Sequence, residues 1–124
     1  MTDHQMVSTA LRFNERINAR DLLGLIELMT EDHTFIDIPG RVTEGRDAMT
    51  ASWAMFFKEY PDYRNNFTLV EVKGNLVIMI GFSECSYDPL DGPAIWTAEI
   101  RDGLVAEWRV YEDTNDVRQQ LGVG

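Results

Sequence analysis

The sequence lacks the residues on which metal, redox and nucleotide-binding proteins depend. It has one cysteine, Cys85, and two histidines, His4 and His33. A single thiol cannot form an internal disulfide, and the two histidines do not stand in a cluster with the spacing of zinc ligands. Neither a glycine-rich phosphate loop nor a Gly-x-Gly-x-x-Gly motif occurs. We therefore predict a cofactor-free and metal-free protein of a reducing compartment, the cytoplasm.

Positive charge and long apolar runs are also scarce. Lys and Arg number 11 against 21 Asp and Glu, a formal net charge of -10, and such a surface repels nucleic acids and anionic lipids. No apolar run approaches the roughly 20 residues of a membrane span. The first residues lack the basic and apolar segments of a signal peptide. We therefore expect neither nucleic acid nor a membrane as a partner.

What the chain does have is enough apolar sequence for one core. Its 124 residues are 44% hydrophobic, which suits a single domain spanning residues 1–124. Helical spacing predicts helices at residues 2–19, 22–29, 46–60 and 115–121. Alternation and turn residues predict strands at residues 32–38, 64–72, 76–87, 94–100 and 104–112. This order predicts an α+β fold, with the helices on one face of a curved, largely antiparallel sheet.

The strand that begins at Leu76 is apolar on both of its faces as far as Phe82. One face can meet the helices, and the other needs a second cover. We predict that a second copy of the chain supplies it, in a homodimer formed sheet to sheet.

The segment from Asp32 to Pro39 carries an acidic residue among apolar neighbours. Period-two alternation places three side chains on one face of this strand: His33, Phe35 and Asp37. If that face points inward, burial would raise the pKa of Asp37 and make it a candidate proton acceptor. The alternative is a structural carboxylate that bonds a nearby backbone N–H, Arg41 or Arg46.

Four segments carry a resemblance to a known family. They are Phe13–Asp21, Glu31–Phe35, Gly45–Ala48 and Asp102–Arg109. With the order of elements, they resemble the nuclear transport factor 2-like superfamily, in particular its SnoaL-like and ketosteroid isomerase-like group. The resemblance implies a cystatin-like cone, in which the curved sheet and the N-terminal helices enclose a hydrophobic pocket. The superfamily holds isomerases, cyclases, dehydratases, epoxide hydrolases and non-catalytic binders, so the fold alone does not select a function.

The resemblance also implies which side chains line the pocket. By position and parity, the substrate-binding residues would be Phe13, Phe35, Trp53, Phe57, Met79, Trp108 and Val110. An aromatic cavity with few polar groups suits a flat, hydrophobic small molecule. The alternative is that these side chains simply fill a core.

The catalytic residues implied by the resemblance are incomplete in this chain. Asp37 stands where ketosteroid isomerases carry their proton-abstracting Asp. Phe13 stands where they carry an oxyanion-binding Tyr, and Trp96 stands near their protonated Asp. An enolate needs hydrogen-bond donors aimed at its oxygen, so here the donor would be Trp96, Ser83 or His33.

Other enzyme classes of the superfamily fit less well. Gly81, Ser83 and Val110 stand where limonene epoxide hydrolases carry their water-activating Arg and two Asp. Val110 also replaces the acid/base Asp of SnoaL-type cyclases. We therefore predict proton transfer on a hydrophobic carbonyl compound, as in isomerisation or cyclisation. The alternative is a non-catalytic ligand-binding or dimerisation module of the same fold.

Overall fold

The computed structural model describes all of residues 1–124, and it is an α+β fold as predicted. The helices are α1 (Asp3–Ala19), α2 (Leu22–Glu27), α3 (Arg46–Glu59) and α4 (Asn115–Leu121), with a short 3-10 turn at Asp88–Leu90. The strands are β1 (Met29–Ile36), β2 (Val42–Glu44), β3 (Arg64–Lys73), β4 (Leu76–Glu84), β5 (Gly92–Arg101) and β6 (Leu104–Glu112). None of the four helices combines the length and the apolar composition of a membrane-spanning helix.

Local capping signals explain where the helices begin and end. The Thr2 side chain accepts a hydrogen bond from the backbone N–H of Gln5, whose own side chain bonds back to Thr2, a reciprocal capping box. Thr114 caps α4 by accepting from the N–H of Val117, and Gly122 ends it at a φ of 69°. A positive φ costs little at glycine because it has no Cβ. α4 therefore has the predicted bounds, and α1 begins one residue later than predicted.

The six strands form one curved, open sheet in the order β2-β1-β6-β5-β4-β3. All neighbouring pairs are antiparallel except β1 and β6, which run parallel. Register shifts interrupt three of these pairs, between Phe67 and Leu69, Glu99 and Ile100, and Met29 and Thr34. Such irregularities bend a strand and increase its twist, which helps the sheet to curl around the helices.

Several element bounds differ from the sequence-based predictions. The first strand covers Met29–Ile36 and not residues 32–38, so Asp37 follows the strand and does not belong to it. The second helix ends at Glu27, and Met29 already belongs to β1, where it pairs with Val105. The long strand ends at Glu84, because the backbone N–H groups of residues 85 and 86 bond instead to the carboxylates of Asp91 and Asp62. β2 was not predicted. It has only three residues, and only its pairing with β1 defines it.

The inner face of the sheet is covered by two helices side by side. α1 contacts β3, β4, β5 and β6, whereas α3 contacts β1 and β2. Beneath α1 the core is tightly filled, and Phe13 and Ile17 of this helix have no exposed surface.

The outer face of the sheet is covered in part by the chain's own C-terminus. Ile78, Ile80 and Ile95 form a small separate cluster with Val123, and Val117 and Leu121 of α4 pack against it. The apolar outer face of β4 therefore has an intramolecular cover. The sequence-based argument for a homodimer treated this face as uncovered.

Candidate functional site

A cavity of about 570 Å³ lies between α3 and the sheet. Its walls include the aromatic side chains Phe35, Trp53, Phe56, Tyr63 and Trp108. Two loops complete it, residues 37–43 after β1 and residues 89–94 before and at the start of β5. Because Ile38 is 52% exposed, the first of these loops forms the rim of the cavity.

Six of the residues predicted for the site line this cavity. They are Phe35, Asp37, Trp53, Ser83, Trp108 and Val110. They come from β1 and the turn after it, α3, β4 and β6, so the site depends on the whole sheet. Stacked rings of Phe35 and Trp53, with centroids 5.9 Å apart, form one aromatic wall.

The other five predicted residues do not line the cavity. Phe13, His33, Met79 and Trp96 are fully buried in the core. Phe57 is half-buried beside Trp53, with ring centroids 5.6 Å apart. The physical reason is the packing of α1: Phe13 lies on Trp108 at 4.7 Å and fills the depth of the cone that the resemblance assigned to a ligand.

Asp37 lies at the rim, and its side chain is 30% exposed. One carboxylate oxygen accepts a hydrogen bond from the backbone N–H of Arg41 at 2.8 Å, and the other accepts from Arg41 Nε at 2.8 Å. These bonds close the turn after β1, where the N–H of Asp37 also donates to the carbonyl of Arg41. Asp37 thus combines features of both sequence-based expectations. It lines the cavity, as expected of a proton acceptor, and it also bonds the backbone N–H and the side chain of Arg41, as expected of a structural carboxylate.

His33 is a buried and neutral core residue. Its Nδ1 lies 2.7 Å from the carbonyl oxygen of Val105, so Nδ1 carries the proton and donates it. Nε2 is buried and has no hydrogen-bond partner. Burial lowers the pKa of His33, although the Val105 carbonyl and the charge of Asp32 act in the opposite direction. The imidazole is too deep to meet a ligand in the cavity.

Two buried indoles lack hydrogen-bond partners. Nε1 of Trp96 and Nε1 of Trp53 are both enclosed by protein without an acceptor within bonding geometry. Trp96 packs against Phe67 at 5.0 Å, behind the cavity wall. Of the three donors that the sequence proposed, only Ser83 therefore reaches the cavity.

Ser83 belongs to a polar cluster that the sequence did not reveal. Its Oγ lies 2.8 Å from Oδ1 of Asn65 and 3.2 Å from the hydroxyl oxygen of Tyr63. Tyr63 also lines the cavity, and burial raises its pKa, an effect that the hydrogen bond with Ser83 partly opposes. Alternation of Tyr63 and Asn65 with exposed Arg64 is the sequence signal that could have found it.

Two carboxylates hold the second cavity loop in place. Asp91 accepts from the N–H of Cys85 at 2.9 Å, and Asp62 accepts from the N–H of Ser86 at 2.9 Å. The Ser86 bonds lower the pKa of Asp62, and burial raises the pKa of the Cys85 thiol. Cys85 is therefore a poor nucleophile. No group of three or more His, Cys, Asp and Glu side chains is placed to hold a metal ion.

Fold and cavity together define a small α+β protein with a pocket of the size that a small molecule needs. The family model of the SnoaL-like domain matches residues 10–108, so the chain belongs to the SnoaL-like family. Among curated proteins, none matches the sequence significantly.

Solved structures share the fold at low sequence identity. A provisionally named SnoaL-like polyketide cyclase from Shewanella putrefaciens CN-32 is 19% identical, with 95% of this chain and 86% of that chain covered and a TM-score of 0.77. A provisionally named ketosteroid isomerase from Kribbella flavida is 19% identical, with coverage of 90% and 79% and a TM-score of 0.72. TerC, crystallised with polyporic acid, is 15% identical, with coverage of 95% and 98% and a TM-score of 0.75.

Proposed function

We propose that the cavity binds a flat, hydrophobic carbonyl compound and that Asp37 moves a proton on it, as in isomerisation or cyclisation. The observation that carries this proposal is a part-buried carboxylate at the rim of an aromatic-walled cavity. The other carboxylate of the lining, Asp91, belongs to an exposed loop and already accepts the N–H of Cys85. A positioned carboxylate can abstract a proton next to a carbonyl group.

The ion pair with Arg41 does not block this role. The Arg41 side chain is 80% exposed, and exposed ion pairs typically contribute only about 0–1 kcal/mol. An entering ligand can therefore displace the guanidinium from one oxygen of Asp37 at little cost. The backbone N–H of Arg41 keeps the other oxygen in place.

Relatives support the same class of ligand. The structures that share the fold include a provisionally named polyketide cyclase and a provisionally named ketosteroid isomerase, and TerC was crystallised with polyporic acid. By analogy, we propose a flat, ring-containing ligand with a carbonyl group for this chain.

The test is deuterium exchange into a ketone. 2-Acetonaphthone is incubated with the protein in D₂O, and loss of its methyl proton signal is followed by NMR. We expect exchange above the buffer rate, and we expect Asp37→Asn to slow it about a hundredfold or more, because general-base catalysis typically contributes about 10²–10⁴ in rate.

Asp91→Asn is the matched control, since it removes the other carboxylate of the cavity lining and keeps an oxygen for the N–H of Cys85. Its exchange rate should equal that of the wild type. Wild-type exchange no faster than buffer, or equal loss in both variants, contradicts a catalytic role of Asp37.

A second candidate function is a non-catalytic binding module of the same fold. It is favoured by the bonds between Asp37 and Arg41, which occupy both carboxylate oxygens in a tight turn. The same ketone separates the two functions: binding without Asp37-dependent exchange supports the module.

We also propose that two copies associate through the part of the outer sheet face that α4 leaves open. Glu107 lies opposite Glu99 there, and burial and the charge of Glu99 raise the pKa of Glu107. Arg109, on the same strand, is part-exposed, and its guanidinium stacks on Tyr111 with Cζ 4.5 Å from the ring centroid. In a symmetric dimer, Arg109 of one copy can pair with Glu107 of the other, which relieves the repulsion between the two glutamates.

Light scattering after size-exclusion chromatography tests the dimer. We expect twice the mass of the chain for the wild type and for Arg64→Glu, a charge reversal at the exposed start of β3. We expect the mass of one chain for Arg109→Glu. A monomeric wild type contradicts the proposed association.

A further inference from the structure

We infer that Tyr63, and not Ser83, donates the hydrogen bond that holds a ligand's carbonyl oxygen in the cavity. The ligand class rests on the function proposed above, whereas the choice of donor rests on a buried chain of hydrogen bonds. Both hydroxyl groups belong to residues that line the cavity, and the two residues are 8% and 5% exposed. The question is which of them has a hydrogen to give.

Asn65 fixes the direction of these buried hydrogen bonds. Its backbone N–H donates to Oδ1 of Asn18, and its carbonyl accepts from Nδ2 of Asn18, both at 2.9 Å. Its side-chain Nδ2 donates to Oδ1 of Asn14 at 3.1 Å. With the amide nitrogen turned towards α1, the amide oxygen faces Ser83 and can only accept.

Ser83 therefore has no hydrogen left for a ligand. A serine hydroxyl carries one hydrogen and can accept two hydrogen bonds. The shorter contact, 2.8 Å to Oδ1 of Asn65, takes that hydrogen. At the 3.2 Å contact, the hydroxyl of Tyr63 is then the donor and Ser83 the acceptor.

The hydroxyl of Tyr63 can donate its hydrogen bond to a ligand oxygen. Turning it from Ser83 to a ligand oxygen breaks only the longer contact, and Ser83 Oγ keeps its bond to Asn65. The indole N–H groups of Trp53 and Trp96 are sealed within the protein. The other lining donors, Arg41, Thr43 and Ser52, are more exposed than Tyr63, and water competes for them. The site thus favours a ligand oxygen that accepts, such as a ketone or a phenolate, over a hydrocarbon of the same shape.

A matched pair of probes tests this preference: 2-acetonaphthone and 2-isopropylnaphthalene. Binding is followed by quenching of tryptophan fluorescence, since Trp53 and Trp108 line the cavity. We expect Tyr63→Phe to weaken binding of the ketone about threefold to tenfold, the value of one net hydrogen bond, and to leave the hydrocarbon unchanged.

Two matched variants assign the effect to one hydroxyl. Tyr60→Phe removes a phenol that lies outside the cavity lining and should bind both probes as the wild type does. Ser83→Ala removes the resting acceptor of Tyr63 and the donor to Asn65, and it leaves the hydrogen of Tyr63 free for the ketone. The infrared carbonyl band of the bound ketone gives a direct readout: it should lie at lower frequency in the wild type, Ser83→Ala and Asp37→Asn than in Tyr63→Phe.

Several results would overturn the inference. One is a carbonyl frequency that does not change in Tyr63→Phe, and another is a loss of the shift in Ser83→Ala, which would make Ser83 the donor. Failure of the wild type to bind the ketone up to its solubility limit would also overturn it. Failure of the proposed catalysis is separate: it would abolish deuterium exchange and leave the Tyr63-dependent shift intact.

Discussion

Lowering the pH below about 6.5 should destabilise this protein through His33. The imidazole is fully buried, its Nδ1–H donates to the carbonyl of Val105, and its Nε2 has no acceptor nearby. A proton added at Nε2 would bring a charge into an apolar core without a partner. The folded protein therefore resists protonation of His33, whereas the unfolded chain does not.

The sign and the size follow from proton linkage. The unfolded pKa of His33 is 6.5 and the folded pKa is lower, mainly because of burial. Below pH 6.5 the unfolded state binds more protons, so the free energy of unfolding falls as the pH falls. One proton gives at most about 1.4 kcal/mol per pH unit, down to the folded pKa of His33. Above pH 6.5 this contribution is fully present.

Other groups act in different windows or in the opposite direction. Asp32, Asp62 and Asp113 have pKa values lowered from 3.8 by hydrogen bonds, so their contributions are lost only at more acidic pH. Burial raises the pKa of Glu107 from 4.5, so its contribution is lost as the pH rises and opposes that of His33. A comparison with a variant of His33 cancels these terms.

The assay is urea unfolding at several pH values between about 5 and 7.5, for the wild type and for His33→Asn. The asparagine Nδ2 can replace Nδ1 as the donor to Val105 and does not titrate. His33→Asn should be less stable at pH 7.5 because it leaves a cavity. The difference between the two proteins should shrink as the pH falls, and parallel pH profiles would refute the reasoning.

Three further predictions concern stability and can be checked by urea unfolding. Gly81→Ala should lower the free energy of unfolding by about 1–3 kcal/mol, because a Cβ there would lie 1.9 Å from the carbonyl oxygen of Asn66. A urea midpoint equal to that of the wild type would show that β3 and β4 separate easily to admit the methyl group. Val123→Asp should cost about 1.5–3 kcal/mol by removing a buried contact of the outer cluster, while Val42→Asp, at a 54% exposed position, should cost less than about 0.5 kcal/mol. Asn14→Ala should lower the free energy of unfolding by about 1–3 kcal/mol, because it leaves the buried Asn65 amide unpaired. Asn66→Ala removes only an exposed hydrogen bond to Glu84 at a half-buried position, and an equal loss there would argue against that cause.

The parts of the fold that could be predicted from the sequence are those with local signals. The last helix begins and ends at the predicted residues because Thr114 and Gly122 cap it. The β5–β6 hairpin turns at Asp102 and Gly103, both with positive φ, where the sequence predicts a tight turn. The second helix is shorter than predicted because the carbonyl of Leu28 accepts the N–H of Val105 at 2.7 Å, a contact made across the sheet. No local pattern announces such a contact.

For the candidate site, the sequence predicts on which face of the sheet a side chain lies. It does not predict how deeply that side chain is buried. Alternation correctly pointed Phe35 and His33 inward. It gave no means to see that Phe35 would line an open cavity while His33 would be sealed beneath α1. That distinction depends on where α1 and α3 rest on the sheet, which is set by packing between distant segments.

The inner face of the sheet is divided between a filled core beneath α1 and a cavity beside α3, and this division explains the position of the buried polar cluster. Trp108 marks the boundary, since it touches Phe13 of the filled core and also lines the cavity. Hydrogen bonds cross this boundary, from Asn14 of α1 through Asn65 of β3 to the hydroxyls of the cavity wall. Buried polar groups cost stability unless each is satisfied, and an apolar core would have been simpler to pack. Because the amides of Asn14 and Asn65 set the direction of these hydrogen bonds, the hydroxyl of Tyr63 at their end is an oriented donor at the cavity wall. Apolar packing cannot supply such a donor.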